Sequence, residues 1–428
     1  MDAAEQTSAP ASPNKHQPQR IEEIATIFVC LGCFFTPLST SLLGLFSLLA
    51  ALCWLATGKF LHLARDCRNH PALFFSLLLF GFMCLAVSYS PADLSQALDT
   101  LKKYRELLFL PIMVSLLSVS SQARERAELS FLAGCIVLML LSYAMALEII
   151  PHLRYGHSIV FHITHSFFMS ILAFWSLHLA FTRGRRRPVW LFIFFAATVN
   201  LFYIAPGRTG MFVFVFLMVL FCWQRLSLLK AFVGFLLLCL ATIAFYVTSD
   251  NFSGRIGEVI NEIQTYEPGQ SRTSIGQRFD WWMVSGSLIA EKPIFGHGTG
   301  AFLAAQQQSS RHASIKLTDN PHNEFLFLTV QFGLVGLALF IAVCFCQLRE
   351  GSFLPMEKRF LLQGVVGALL AGSLMNSLLF DSQQGHFYLF MSAALLAGSP
   401  PNNRLDEHQS DLAAVGDGDH RVAAGTSC

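Results

Sequence analysis

Long apolar stretches separated by short polar connections run through most of this chain. Two of them share residues 24–54 and are split near Pro37, and the others cover 71–88, 107–119, 129–150, 158–181, 189–204, 211–223, 231–248, 323–345, 360–380 and 387–397. A membrane-spanning helix needs about 20 mostly apolar residues. The pattern predicts an all-α polytopic membrane protein with about twelve transmembrane helices.

One long polar interruption, residues 249–321, divides these stretches into two groups. It predicts a loop containing short helices between transmembrane helices 1–9, within residues 24–248, and helices 10–12, within residues 322–398. Residues 1–23 and 399–428 are polar and predict terminal tails. The first tail lacks the basic, apolar and small-residue order of a cleavable signal peptide.

The distribution of Lys and Arg predicts how the chain is oriented. Fourteen lie in the connections at one end of the predicted helices, and five lie at the other, namely Lys102, Lys103, Arg105, Arg154 and Arg208. Basic residues are enriched in cytoplasmic loops. Both tails are therefore expected in the cytoplasm, and the loop at 249–321 is expected to face outward.

Composition supports a membrane protein and argues against several other classes. The chain is 54% hydrophobic and 13% charged, with a net charge of +2. No basic run interleaved with aromatic residues suggests a nucleic-acid partner. Cys30 and Cys33 form a CxxC inside a predicted helix, where thiols pack as apolar groups. Asp417 and Asp419 form a DxD in the C-terminal tail with no predicted fold to hold a metal, so no metal or cofactor is predicted.

A single arginine and a cluster of three basic residues lie at the predicted outward ends of the helices. Arg208 occurs in a Pro/Gly turn at 205–210 that leads into the eighth span. A guanidinium near hydrocarbon must bind an anion or reach water, so Arg208 is either a binding residue or an interface anchor. Lys102, Lys103 and Arg105 cluster before the fourth span, where the alternatives are support of the site or interface anchoring.

Arg278 is the corresponding candidate inside the long loop. Aromatic neighbours including Trp281 and Trp282 predict a segment at the headgroup level that holds Arg278 where a lipid-borne phosphate would lie. The alternative is a local ion pair with Asp280 or Glu291.

His322 lies where the loop meets the tenth span, directly after Pro321. A neutral imidazole at this position can accept a proton from a sugar hydroxyl, whereas the alternative is a helix-cap or packing residue. Asp381 ends the eleventh span on the same side. It is a candidate to orient His322 or to pair with an arginine.

The spacing of these residues resembles that of a known family. His322 and Asn323 are followed after nine residues by Gly333, which reproduces the H-[NSQ]-x9-G motif that follows the large loop of the lipopolysaccharide O-antigen ligases. Arg208 in Gly-Arg-Thr-Gly and Arg278 before the tryptophans resemble the two arginines of this family. The segments 102–106 and 292–298 are also similar, and the resemblance extends over residues 24–397.

The resemblance implies a transferase in a bacterial inner membrane with its active site on the periplasmic face. Its donor would be a polysaccharide on undecaprenyl pyrophosphate and its acceptor lipid A-core oligosaccharide, without nucleotide sugar, metal or cofactor. In that interpretation Arg208 and Arg278 bind the pyrophosphate, and His322 is the base of an inverting reaction. The alternatives are an O-antigen polymerase of the same superfamily, a transporter of lipid-linked glycans, and a non-catalytic scaffold.

Overall fold

The computed structural model describes residues 16–269, 272–309 and 314–399, and the regular secondary structure of these residues is helical. The all-α prediction is therefore confirmed for this part of the chain. The C-terminal tail with Asp417 and Asp419, and residues 1–15 of the N-terminal tail, lie outside the described residues. The first helix begins at His16 rather than at residue 24.

The described residues form seventeen α-helices, and each of the twelve predicted apolar stretches overlaps one of them. In chain order they are α1 (His16–Phe35), α2 (Thr40–Ala56), α3 (Leu63–Asn69), α4 (Pro71–Ala86), α5 (Leu94–Tyr104), α6 (Phe109–Leu117), α7 (Ser121–Ala146), α8 (His162–Thr182), α9 (Arg187–Val199), α10 (Arg208–Arg225), α11 (Leu228–Thr248), α12 (Asp250–Gln264), α13 (Ser274–Glu291), α14 (Phe302–Gln308), α15 (Glu324–Gly351), α16 (Met356–Ser373) and α17 (Ser382–Leu396).

Six helical segments in the described part of the chain are long and apolar enough to cross a membrane. They are Pro71–Tyr89, Ser121–Ala146, His162–Thr182, Gly184–Ile204, Arg208–Arg225 and Glu324–Gly351. A seventh is possible if the pair Thr40–Ala56 and Lys59–Asn69, bent by 75°, forms one span. The nine residues of α6 reach only about 14 Å and cannot cross alone. The chain is thus polytopic, and the count of twelve remains a prediction.

The polar loop at 249–321 is folded into helices, as its sequence predicts. Ser249 caps α12 by accepting a hydrogen bond from the Phe252 N–H at 3.2 Å, and Thr273 caps α13 in the same way through Gly276 at 3.2 Å. Such side chains satisfy amide groups that have no partner within the helix. These caps define where α12 and α13 begin, and both helices carry charged residues of the candidate site.

The helix α8 is central to the bundle, with 83% of its candidate span buried. It packs against α9 and α10, and an aromatic cluster of Phe131, Phe168 and Phe387 joins it to α7 and α17. A Cβ atom at Gly210 would lie 2.4 Å from the Ser166 Cβ. The missing side chain at Gly210 therefore allows α10 to lie close to α8, which places Arg208 at the first turn of α10.

Residues 293–298 cross over α15 at Gly333, and this close crossing is why the motif that begins at His322 requires glycine there. The Gly298 N–H donates to the Gln331 carbonyl at 2.8 Å. Gly333 interrupts the helical geometry of α15 with φ +63°, and a Cβ there would lie 2.1 Å from the Ile294 carbonyl oxygen. Only glycine tolerates this combination of backbone conformation and contact without strain. The number of residues between His322 and Gly333 is thus set by the stretch of α15 that runs from His322 to the crossing.

Candidate functional site

His322 lies immediately before α15 in a constrained backbone conformation. Its φ is +54°, in the left-handed region that residues other than glycine seldom adopt. The His322 N–H donates to the Asn320 Oδ1 at 2.8 Å, and Asn323 caps α15 by accepting from the Leu326 N–H at 3.1 Å. These local bonds hold the histidine at the helix boundary that the sequence predicts. Strained residues of this kind are frequent at functional sites.

A hydrogen-bonded chain orients the imidazole. His322 Nδ1 lies 2.8 Å from the Asn376 Oδ1, and the Asn376 Nδ2 donates to the Asp381 Oδ2 at 2.8 Å. Because an amide oxygen only accepts, this network assigns the proton to Nδ1. In the neutral ring Nε2 then carries the lone pair. Asp381 therefore orients His322 through Asn376 rather than by direct contact.

The electrostatic surroundings keep the imidazole neutral. Burial lowers the pKa of His322, and the positive charge of Arg278 lowers it further, while the hydrogen bond to Asn376 opposes these effects. Burial also raises the pKa of Asp381 to about 6. A histidine with a lowered pKa is largely unprotonated near neutral pH. Such a ring can accept a proton from a bound hydroxyl.

Two tryptophans of α13 hold the histidine segment in place. The Trp281 ring lies 5.5 Å from the His322 ring between centroids, and the Trp282 Nε1 donates to the Pro321 carbonyl at 3.0 Å. Trp281 is only 7% exposed and also donates from Nε1 to the Lys316 carbonyl at 2.9 Å. The Trp281 ring therefore packs against the protein, and the headgroup level of this segment stays a prediction.

Arg208 is ion-paired with α12. Its Nη2 donates to the Glu258 Oε2 at 2.8 Å and to the Glu262 Oε1 at 3.0 Å. Its side chain is 25% exposed. Glu262 uses its second oxygen to accept from the Ile275 N–H of α13 at 2.7 Å. Arg208 is thus held by two carboxylates of α12.

Arg278 is half-buried one helical turn after Ile275 and forms no hydrogen bond or ion pair with any described residue. The expected alternative, a pair with Asp280, is absent because the Asp280 Oδ1 accepts from the Tyr266 hydroxyl at 2.8 Å and from the Gly269 N–H at 2.9 Å. Burial lowers the pKa of Arg278, the charge of Arg208 contributes, and Glu262 opposes them. A desolvated guanidinium beside a second one is suited to binding an anion.

Arg105 lies in a separate basic cavity. This cavity has a volume of about 530 Å³ and is lined by Lys102, Lys103, Arg105, Asp319 and Phe380 among others. The Lys103 Nζ lies 3.9 Å from the centroid of the Phe380 ring. The cavity thus reaches the residues next to Asp381 on one side and the segment before His322 on the other.

One known protein family matches the part of the chain that contains these residues. Residues 192–341 match the family model described as O-antigen ligase, and the matched segment contains Arg208, Arg278 and His322. This segment belongs to the O-antigen ligase/polymerase superfamily. The predicted resemblance to that superfamily is thereby confirmed, and the helical bundle is that of a membrane-embedded protein.

A relative of this chain is found among curated proteins. An uncharacterized protein of Haemophilus influenzae is 35% identical to it over 104 residues, which cover 23% of this chain and 26% of that protein. The chain thus spans about a quarter of that relative's length.

Three residues of the candidate site escaped the sequence analysis. Asn376 gave no signal because it lies within an apolar stretch, and Glu262 lies in a loop rich in polar residues. Glu324 directly follows His322 and Asn323, and this position next to the motif was the sequence feature that could have identified it. It is buried and accepts from the Tyr104 hydroxyl at 2.9 Å and the Leu379 N–H at 2.9 Å. Glu324 therefore ties the start of α15 to the segment that carries Asn376 and Asp381.

The described residues contain no group of three or more His, Cys, Asp or Glu side chains that could hold a metal ion. The described side chains supply two kinds of reactive group. One is a neutral imidazole that an amide orients, and the other is a pair of guanidinium groups. This combination suits proton removal from a hydroxyl next to a bound anion.

Proposed function

We propose that this protein is an inverting, metal-independent glycosyltransferase. It would ligate O-antigen polysaccharide from undecaprenyl pyrophosphate to lipid A-core oligosaccharide at the periplasmic face of the inner membrane. The observation that carries the proposal is the oriented, neutral His322 close enough to Arg278 to feel its charge, with Arg208 in turn near Arg278. A proton acceptor next to cations suits a donor that brings its own anionic leaving group.

In this proposal Arg208 and Arg278 bind the pyrophosphate of the donor. Negative charge on the leaving phosphate increases as the glycosidic bond breaks, so charge-assisted hydrogen bonds strengthen in the transition state. Arg278 is available for this role because no described carboxylate pairs with it. The planar guanidinium group also matches two phosphate oxygens at once, which an ammonium group does not.

His322 Nε2 takes the proton of the acceptor hydroxyl. The hydroxyl oxygen forms a new bond to the anomeric carbon from the face opposite the pyrophosphate, and the bond from that carbon to the phosphate oxygen breaks. The electron pair of that bond leaves with undecaprenyl pyrophosphate. A single displacement of this kind inverts the configuration of the anomeric carbon.

The basic cavity around Lys102, Lys103 and Arg105 is the proposed acceptor side of the site. Its cations favour a sugar that carries acidic groups, and its volume of about 530 Å³ accommodates a small number of sugar units. Asp319 lines this cavity three residues before His322. An acceptor bound there would present its hydroxyl near the imidazole.

The deciding experiment is glycan transfer by purified protein from a defined undecaprenyl-pyrophosphate donor in the presence of EDTA. We expect product with lipid A-core as acceptor and no effect of the chelator. Product only with a second lipid-linked glycan would instead identify a polymerase. Movement of the donor across vesicles without any transfer would identify a transporter, and activity that one divalent ion restores would reject the metal-independent mechanism.

A further inference from the structure

The helix α12 presents two carboxylates to Arg208 from successive turns. Glu258 and Glu262 are four residues apart, and both accept from the same Nη2 atom, at 2.8 and 3.0 Å. Their surroundings differ, since the Glu258 side chain is 52% exposed and the Glu262 side chain is 13% exposed. One arginine nitrogen is thus shared by an exposed acid and a largely buried acid.

Glu262 has a second contact that links the two arginine-bearing helices. Its Oε2 accepts from the Ile275 N–H at 2.7 Å, in the first turn of α13, while its Oε1 contacts Arg208 at the first turn of α10. Arg278 lies one turn further along α13. Because two like charges in a partly desolvated site repel each other, a carboxylate between them favours their approach.

Glu258 occupies the outer side of Arg208, where an incoming anion would also bind. An exposed ion pair contributes little free energy because water and salt screen it. A pyrophosphate carries more charge and more acceptor oxygens than one carboxylate. Exchange of the exposed Glu258–Arg208 pair for a donor pyrophosphate is therefore favourable, whereas loss of Glu262 would also break its contact with α13.

We propose that these two acids have opposite roles in the reaction. Glu262 is a positioning residue that holds Arg208 and the Arg278-bearing end of α13 in register for the transition state. Glu258 is a placeholder for the donor pyrophosphate on Arg208 and leaves when the donor binds. This inference rests on the proposed function, because it assumes that Arg208 binds the donor pyrophosphate.

The test compares Glu258→Gln and Glu262→Gln, with Glu267→Gln as the matched control. Glu267 is an exposed acid of the same loop that makes no contact with Arg208, so its substitution reproduces the charge change alone. The measurements are the Kd of glycan-free undecaprenyl pyrophosphate and the kcat of transfer. Thermal melting of the detergent-solubilised variants verifies that they are folded.

Relative to Glu267→Gln, Glu258→Gln should bind undecaprenyl pyrophosphate roughly two- to fivefold more tightly, the range of one exposed ion pair. Glu262→Gln should lower kcat by about tenfold to a hundredfold without weakening this binding, since a small displacement of a catalytic group has effects of that size. Glu262→Asp keeps the charge but is too short to make both contacts, so its kcat should also fall.

Equal or weaker binding by Glu258→Gln overturns the placeholder role, and wild-type kcat in both Glu262 variants overturns the positioning role. Failure of the proposed function itself gives a different result. In that case the wild type transfers no glycan, or Arg208→Ala binds undecaprenyl pyrophosphate as tightly as the wild type does.

Discussion

His322 Nδ1 and Asn376 Oδ1 lie 2.8 Å apart, and this contact decides which ring nitrogen is free to accept a proton. Asn376 comes from the segment between α16 and α17, 54 positions further along the chain. Its amide is in turn held by Asp381. The proposed base is therefore oriented by a part of the chain remote from the motif that contains it.

His322→Ala should abolish transfer without abolishing donor binding. Loss of a general base typically lowers a rate about a hundredfold to ten-thousandfold, whereas the pyrophosphate contacts remain on the arginines. Single-turnover transfer and the Kd of the donor are the two measurements. His152→Ala, at an exposed histidine, is the control and should behave as wild type. Parallel loss of donor binding and activity would make His322 a structural residue.

The pH dependence of transfer should reveal the environment of His322. The unprotonated ring is the active form, so the rate is complete above its pKa and falls as the pH decreases through it. Because burial and Arg278 lower this pKa, the midpoint should lie below the ordinary histidine value of about 6.5. Asn376→Leu removes a hydrogen bond that raises the pKa, so it should lower the midpoint further and reduce the maximal rate. A wild-type midpoint above the ordinary value would contradict this assignment.

Arg208→Ala and Arg278→Ala should each abolish transfer and weaken donor binding. Lys at either position should restore only part of the activity, because it lacks the two-pronged contact of a guanidinium with phosphate. Arg272→Ala, at an exposed arginine of the same loop, is the matched control. Donor titrations of each variant measure the effect, and a fully active alanine variant would remove that arginine from the mechanism.

Gly333→Ala should destabilise the protein. The Gly333 backbone, with φ 63° and ψ −167°, lies in a region essentially restricted to glycine, so a side chain costs about 1–3 kcal/mol, and the contact with the Ile294 carbonyl adds to this. Gly286→Ala in α13 is the control, since no atom lies within 4 Å of its added Cβ and alanine is the better helix former. Thermal melting in detergent should rank Gly333→Ala below the wild type and Gly286→Ala at or above it.

The Lys/Arg asymmetry predicts the orientation of the chain. Reporters fused after Arg187 and at the C-terminus should be cytoplasmic, whereas one inserted within residues 306–311 should be periplasmic. Alkaline phosphatase and a cytoplasmic fluorescent reporter measure the two outcomes. A cytoplasmic signal from the loop would place the His322 site on the wrong face for the proposed reaction.

The sequence by itself determined the helical elements and the main candidates for the site. Apolar length and local capping residues decide where helices such as α11 end, at Thr248, and where α12 begins, at Asp250. Both properties act over a few residues, so they can be read from a single segment. The same holds for the Pro-His-Asn start of α15 and for its spacing from Gly333.

The tertiary structure alone decided which side chains complete that site. Asn376 and Glu262 reach His322 and Arg208 across 54 positions each, and no local pattern encodes such a pairing. Helix packing sets these contacts, for example where Gly210 lets α10 approach Ser166 of α8. It also decided that Trp281 packs on His322, because an aromatic side chain suits many apolar environments and only the neighbouring segments determine which it occupies.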